Sequence, residues 1–514
     1  MWFRGLPRTA AKAVKNSLNL YIFYLQFVNF WIKIAIFAEV FSAPDMTLVL
    51  VIILLFGYLL IATAHITKVN KAAVAIFMGT VGWVFYVCYG SDFVMRQHQA
   101  DYFAFLDGAA ASSEAVKYYI FNNVFINYVG KAAGVVLFLL ATMTIVEILN
   151  NNGCFDFVSE WLRTRHSRRL LWTVTAVTFV VSANLDNLTT ATMMLVIMRS
   201  IVQSRRQRLT IGCAIVLAAN AGGCFTVIGD PSGIVLWGNG AVTATDFSAY
   251  LALPAIVAWA LPTWMLGRTL PERLDAEWPT SPYRGDDTNL NRWQRALMLV
   301  VGIGGLWFIP TFHTITKLSP FLGALCVLSV LWVVNEMFNR KLMNADQMIQ
   351  RRFPRVLQYG TIQQMLFVMG IFLALGVVAE TGFFASVAVW LDRNVHDVLV
   401  MGAVSGLLSA VVDSFTVFLT NVSLYPVADA TPVPGADSYA AAFMQNGAFW
   451  KILAYSTGVG GCLLCFSTTS GLALMKMERM RVGWYLANCS AKILAGWAAG
   501  LAVLWGELLL AGGL

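Results

Sequence analysis

Ser182-Ala183-Asn184-Leu185-Asp186-Asn187-Leu188-Thr189-Thr190 lies in the middle of an apolar run, residues 170–198, that is long enough to cross a bilayer. A carboxylate, an amide and two threonines at the centre of such a run are costly in hydrocarbon. The flanking loops decide how the run is used. Residues 150–169 carry Arg163, Arg165, Arg168 and Arg169, and residues 199–209 carry Arg199, Arg205, Arg206 and Arg208. Short loops rich in Lys and Arg stay on the cytoplasmic side. The run is therefore expected to enter and leave by one face, as a re-entrant hairpin with Asp186 at its tip. Broken backbone at that depth is tolerated only where it is buried in protein or lines a wet cavity.

A second run, 398–426, is interrupted by Asp413-Ser414-Phe415-Thr416. Upstream, loop 340–360 is basic (Arg340, Lys341, Arg351, Arg352, Arg355), and helix 364–390 then carries the chain outward. Downstream, loop 427–447 holds Asp429 and Asp437 without Lys or Arg, and loop 476–482 is basic again (Lys476, Arg479, Arg481). This hairpin is expected to enter from the opposite face. The two tips share the pattern S-A-x-x-D-[NS]-x-T, Ser182 to Thr189 against Ser409 to Thr416. Downstream, Gly222-Gly223-Cys224 matches Gly460-Gly461-Cys462, and ten residues after the first glycine come Ser232-Gly233 and Ser470-Gly471. Weak repeats of opposite topology mark secondary transporters.

Outward from these motifs the composition agrees. Of 514 residues, 58% are hydrophobic and 12% charged. That excludes a soluble enzyme, a disordered chain and a disulfide scaffold. Candidate spans are 18–43, 46–64, 71–89, 130–149, 210–238, 247–269, 295–310, 318–338, 364–390, 448–475 and 483–509. The fold expected is an all-α polytopic membrane protein, an inverted-repeat secondary transporter with about 11 spanning helices and two re-entrant hairpins of opposite sidedness. Its parts are a basic N-terminal segment with an extra apolar helix (1–45), a first repeat (46–290, hairpin 170–198) and a second, inverted repeat (291–514, hairpin 398–426). Arg4, Arg8, Lys12 and Lys15 place the N-terminus in the cytoplasm. Loop 90–129, slightly acidic, and loop 311–317 are expected outside, and loop 268–295 inside. The net charge of +8 sets this orientation and implies no nucleic acid. The eight cysteines are scattered, and the lone Cys462/Cys465 CxxC reads as small apolar residues in a bundle.

The chemistry concentrates at the hairpin tips and at two helix breaks. Ile228-Gly229-Asp230-Pro231-Ser232-Gly233 interrupts span 210–238, and Phe466-Ser467-Thr468-Thr469-Ser470-Gly471 interrupts span 448–475. Carboxylates, amides, hydroxyls and freed carbonyls suit a hard cation, and a carboxylate there also takes up a proton. One site is expected at Asp186, Asn187 and the carbonyls of 229–233, including Gly229 and the Ser232 hydroxyl. A second is expected at Asp413, Ser414, Thr416 and the hydroxyls of Ser467, Thr468, Thr469 and Ser470. Asp230 is either a ligand or a turn former before proline. Glu147 is either a functional carboxylate or an interhelical hydrogen-bond partner. Glu380, in Glu380-Thr381-Gly382, is either on its span or at a helix end near the external surface, where it is an ordinary surface residue. His65 reads as interfacial and Lys33 as snorkelling. No nucleophile–base pair, phosphate loop or transition-metal cluster is present in the sequence, so an enzyme is not expected.

At these motifs the chain resembles the NhaD-type sodium/proton antiporters of the ion transporter superfamily, which also holds arsenite and dicarboxylate carriers. Thr144-Ile145-Val146-Glu147-Ile148, the Ser182–Thr190 run, Ala219-Asn220-Ala221-Gly222-Gly223, Ser409–Asp413 and Phe449-Trp450-Lys451-Ile452-Leu453-Ala454-Tyr455 carry the likeness, with Ile66-Thr67-Lys68-Val69-Asn70-Lys71-Ala72-Ala73 near the start. It covers residues 46–510. The resemblance implies a homodimer in the bacterial inner membrane with a scaffold and a moving transport domain. It implies sodium and protons as transported ions, no cofactor, and ion-binding roles for Asp186, Asn187, Thr189, Asp413 and Glu147. Three positions depart from the pattern: Ser414 replaces an asparagine, the first break reads Gly229-Asp230-Pro231-Ser232 as in the anion-carrying relatives, and Lys451 stands where an acidic residue is common. The functional expectation is exchange of sodium or lithium for protons. The alternative is a sodium-coupled carrier of a small anion, a dicarboxylate or oxyanion, and a non-transporting membrane subunit is the third reading.

Overall fold

The computed structural model describes residues 43–162, 164–275, 290–339, 359–428 and 438–511. Residues 18–42 of the apolar run 18–43, Lys33 among them, and most of the basic loop 340–360 lie outside them. Among the described residues the secondary structure is helical, with two isolated β-bridges and no strand.

The principal helices are α1 (Ala43–Ala62), α2 (Lys71–Cys88), α3 (Ser113–Asn151), α4 (Ser167–Ser182), α5 (Asn187–Ile201) and α6 (Arg205–Cys224). They continue with α7 (Pro231–Gly238), α8 (Ala244–Gly267), α9 (Arg292–Thr316), α10 (Pro320–Asn339), α11 (Tyr359–Glu380) and α12 (Phe383–Asn394). The chain ends in α13 (Val398–Val411), α14 (Ser414–Leu424), α15 (Ala448–Gly460), α16 (Thr469–Glu478) and α17 (Val482–Leu510). Seven of these are long and apolar enough to cross a membrane, counted among the described residues. The chain is a polytopic membrane protein.

Two expected hairpins and two expected spans are each split where the sequence places polar residues. The run 170–198 is α4 and α5, 398–426 is α13 and α14, 210–238 is α6 and α7, and 448–475 is α15 and α16. Two expectations are corrected. Residues 90–129 are not an open loop: they hold short helices Gly90–Gln97 and Gln99–Leu106, and α3 already begins at Ser113. Their mixed polar composition hides this, because a two-turn helix is held by packing rather than by a long apolar stripe. The span 364–390 is also not continuous. It closes at Glu380, and Gly382 turns the chain with φ +78°, a conformation only glycine adopts at no cost. Glu380 is accordingly at a helix end, but it is no free surface residue: His98 Nε2 lies 2.6 Å from Oε2, and Tyr128 Oη donates to Oε1 at 2.8 Å.

The loops gather into two sets. Ser167 N donates to the Glu272 carbonyl at 3.1 Å and Gln203 N to that of Asp275 at 2.9 Å, so both ends of the α4–α5 pair meet one segment. Beside them Arg208 Nε binds both carboxylate oxygens of buried Glu478, at 3.1 and 3.0 Å, and Arg205 caps the carbonyls of Glu478 and Arg479. The basic loops 164–169, 199–209 and 476–482 therefore share a face. The ends of α13–α14 meet another set: Tyr425 and Tyr439 both donate to Asp392, at 3.0 and 2.6 Å. Arg208→Ala strips a charged donor from a buried carboxylate, so it is expected to lower stability by about 1–3 kcal/mol. A thermal-unfolding series of detergent-purified protein, with Arg206→Ala as the control, checks this.

The core is built where helices approach closely. α2 packs along α11. A Cβ on Gly370 would sit 2.4 Å from the Ile76 nitrogen, so only glycine allows this spacing. α14 packs on α11, and the broken pairs pack on one another: α4 and α5 on α6, α13 and α14 on α15, and α16 on α5 and α6.

Candidate functional site

Each broken pair resumes on a helix whose first N–H groups need partners, and each finds one in its own N-cap. Asp186 Oδ2 accepts from Thr189 N at 3.1 Å and lies 3.3 Å from its hydroxyl. Asp413 Oδ2 accepts from Thr416 N at 3.2 Å, with that hydroxyl also at 3.3 Å. Asp230 Oδ2 accepts from Ser232 N at 3.1 Å and from the Ser232 hydroxyl. Thr468 Oγ1 accepts from Gly471 N at 3.2 Å. Three carboxylates and one hydroxyl thus close the four half-helices α5, α14, α7 and α16.

The motif pairs read from the sequence make matching contacts. Ser182 Oγ donates to the Ala219 carbonyl at 2.6 Å, and Ser409 Oγ to that of Thr457 at 3.2 Å. At positions the motifs do not pair, Thr226 Oγ1 donates to the Ala183 carbonyl and Ser467 Oγ to that of Ser409, both at 2.5 Å. A Cβ on Gly222 would lie 2.3 Å from the Phe179 carbonyl oxygen, and one on Gly460 would lie 2.5 Å from that of Gly406.

A buried polar chain links the halves. Asn187 Nδ2 donates to Asp230 Oδ1 at 2.7 Å and to Asn220 Oδ1 at 3.2 Å. Asn220 Nδ2 donates to Ser470 Oγ at 2.7 Å, and Ser470 Oγ lies 3.4 Å from Thr468 Oγ1. The first tip, the first break and the second break are thereby joined through α6. Asp186 is also approached by Gln364 Nε2 of α11 at 3.4 Å. Among the described residues, no ion pair joins Asp186 or Asp230 to a Lys or Arg; both carboxylates are held by neutral donors.

The second half differs. Lys71 Nζ, from the first turn of α2, pairs with Asp413 Oδ1 at 3.1 Å and also reaches the carbonyls of Phe466 and Ser467 at 3.3 and 3.4 Å. A cavity of about 1030 Å³ opens beside it. Thr189, Glu147, Gln364, Asp413 and Thr469 line it together with Asn150, Lys476 and Met480, the last two from the basic loop 476–482. His65 stacks on Phe466 at its edge, ring centroids 4.0 Å apart.

The expected residues are thus largely brought together. Asp186, Asn187, Thr189 and Asp230 form one cluster, and Asp413, Thr416, Ser467 and Thr468 the other. Ser414 packs beside Gly461, and buried Glu147 lines the cavity. The Gly229 backbone lies against Gly223, and Thr469 lines the cavity. Sequence reasoning missed Lys71, Gln364 and Asn220 as site residues, although Lys71 and Asn220 stand in quoted motifs. The signal for Lys71 was a lysine in the first turn of a helix, where the dipole disfavours a cation. Lys451, read as a departure, pairs with Asp246 at 2.8 Å and lies 3.7 Å from the Tyr250 ring centre. No group of three or more His, Cys, Asp or Glu among the described residues could hold a metal ion, and all eight cysteines are free.

A profile for the CitMHS family, described as citrate transporter, matches residues 34–460. The chain is 32% identical over 368 residues to a protein of Arabidopsis thaliana named sodium/proton antiporter 1, a match covering 72% of this chain and 61% of the relative. It is 28% identical to sodium/proton antiporter 2 of the same plant, over 71% of this chain and 83% of the relative. It is 24% identical to the Na(+)/H(+) antiporter NhaD of Vibrio parahaemolyticus, over 68% of this chain and 83% of the relative. The chain spans less than two thirds of the first of these relatives.

Proposed function

This chain belongs to the citrate transporter family, a family of carriers and not of enzymes, and we propose that it is a secondary antiporter exchanging sodium or lithium for protons. The observation that carries the reading is the pair of buried carboxylates, Asp186 and Asp230: Asn187, next to Asp186 in the chain, donates to Asp230, and among the described residues both carboxylates are held by neutral donors only. Such a pair is costly when fully charged and empty. It is relieved by protons or by a hard cation, which compete for the same carboxylate oxygens. Competition for one pair of carboxylates is the physical content of antiport. The names of the three relatives support the same ions.

Asp186, Asn187, Thr189, Asp230 and the Gly229–Ser232 break form the exchange site, and Glu147 lies on the path through the cavity. Asp413, Ser414, Thr416, Ser467, Thr468 and Thr469 form its counterpart in the second half. The halves 46–290 and 291–514 are inverted repeats, and α4–α5 and α13–α14 are hairpins entering from opposite faces; the matched glycine and serine contacts support both assignments. With the basic loops in the cytoplasm of a bacterial inner membrane, the N-terminus is cytoplasmic and the cavity faces inward. Alternating access then moves the tips and breaks against the α2–α11 spine. Carriage of an exchanging pair needs no cofactor. Lipid covers the apolar outer faces, and α9 and α10, whose spans have the smallest buried share of the seven, 22% and 28%, present a surface to a second copy in a homodimer.

One observation favours the anion-carrying alternative: Lys68, Lys71 and Lys476 line the cavity, and the family is described by citrate. Proteoliposomes loaded with acid and a pH-sensitive dye separate the two. Antiport predicts that external sodium or lithium alkalinises the lumen without any anion. Silence with both cations, followed by a signal only when citrate is added, would establish the alternative.

A further inference from the structure

We propose that the second half of the site carries its own cation: the Lys71 ammonium occupies the place at Asp413 that a second sodium would otherwise take, so the carrier loads one sodium, at Asp186 and Asp230. The inference rests on the exchange reading above and specifies how many ions that site takes.

The first support is the donor set. One carboxylate oxygen and two peptide carbonyls surround the Lys71 nitrogen, at 3.1, 3.3 and 3.4 Å. Those are the oxygens a hard cation selects. An ammonium has three N–H donors, so each oxygen takes one. The carbonyls belong to the break before α16, where freed backbone oxygens face inward, and Asp413 is the cap of α14. Hairpin tip and helix break, the two features expected to hold an ion, are both directed at the lysine.

The second support is charge balance. In the first half two carboxylates, Asp186 and Asp230, cap α5 and α7, and their polar partners Thr189, Gln364, Ser232 and Asn187 are neutral. In the second half Thr468 caps α16 where Asp230 caps α7. One carboxylate remains there, and Lys71 neutralises it. The first half calls for a cation from solution. The second half is already balanced, and a sodium added to it would sit against a like charge in a poorly screened interior.

The third support is placement. Asn70 caps α2 by accepting from Ala72 N at 3.0 Å, which fixes Lys71 in the first turn. A cation at a helix N-terminus runs against the dipole. The local rule is broken at a point where the side chain is only 12% exposed and its partner 4%. A lysine kept there at that cost is held by what it binds across the core, 342 residues further along the chain.

The test counts bound ions. Full-length protein in nanodiscs is equilibrated with radioactive sodium at saturation. Wild type is expected to hold one sodium per chain, and Lys71→Ala two, a doubling. Lys71→Ser, which keeps a polar group in the cavity, is expected to double it as well. Asp413→Asn on the Lys71→Ala background returns the count to one. A wild-type count of two overturns the inference without any variant, and so does a count of one in folded Lys71→Ala and Lys71→Ser protein. A wild-type count of zero overturns the exchange reading itself and the inference with it.

Discussion

Proteoliposomes carrying Asp186→Asn are expected to show no sodium-driven proton flux above empty vesicles, while the variant folds and purifies like wild type. Asparagine is as good an N-cap as aspartate, so the bond to Thr189 N survives and α5 starts where it does now. What is lost is the charge. A charge-assisted bond contributes about 1.5–3 kcal/mol, or roughly 10- to 150-fold in affinity. The same residue can no longer release a proton, so both exchanging species lose their place. Asp186→Glu separates charge from geometry: it keeps the carboxylate but moves it about 1.5 Å along the side chain. Its flux is expected to be weak yet measurable, with the sodium concentration for half-maximal response raised. Full flux in Asp186→Asn would remove Asp186 from the exchange site.

The second large effect concerns two glycines. Gly222→Ala and Gly460→Ala each force a Cβ to within 2.3 or 2.5 Å of a backbone carbonyl oxygen, on Phe179 and Gly406. Backbone in the middle of a packed helix does not yield as a side-chain tip does. The cost belongs at the upper end of overpacking, about 3 kcal/mol. It also falls on function, because pushing α6 from α4 stretches the bonds from Asn187 and from Ser182 that tie the first tip to α6. Both variants are expected to lose several degrees of thermal midpoint and most of their flux. Gly130→Ala is the control: a Cβ there meets nothing within 4 Å, and in a helix alanine stabilises relative to glycine. Equal midpoints in all three would show that the helices are not held at the spacing described.

The parts of the site that could be read in the sequence are those governed by neighbours in the chain. Asp186 and Asp413 announce helix breaks because aspartate favours the N-cap position, and its cost in an apolar run makes it a functional candidate. Gly229-Asp230-Pro231-Ser232 announces a break by the same local chemistry. The basic loops pointed to shared faces because charge sidedness is a loop property, and the Arg208–Glu478 pair now joins two of them directly. The parts that could not be read depend on partners far along the chain. Lys71 meets Asp413, and Gln364 meets Asp186 from 178 residues away. The position of Lys71 in the first turn of a helix is unusual, but nothing near it in the chain names Asp413 as its partner. Asn220 lies in an apolar helix, and its role in joining the halves exists only once α16 brings Ser470 to it. The short helices between residues 90 and 106 were hidden because they are held by tertiary packing.

The central claim is that one pair of carboxylates is shared between sodium and protons, and the most direct test is uptake of radioactive sodium into proteoliposomes with an acidic lumen and no other gradient. The account predicts accumulation of sodium above its external concentration, driven by the outward proton gradient, independent of citrate, and abolished when the pH difference is collapsed. Uptake that ignores the pH difference, or that proceeds only when citrate is supplied on the same side as sodium, would contradict it.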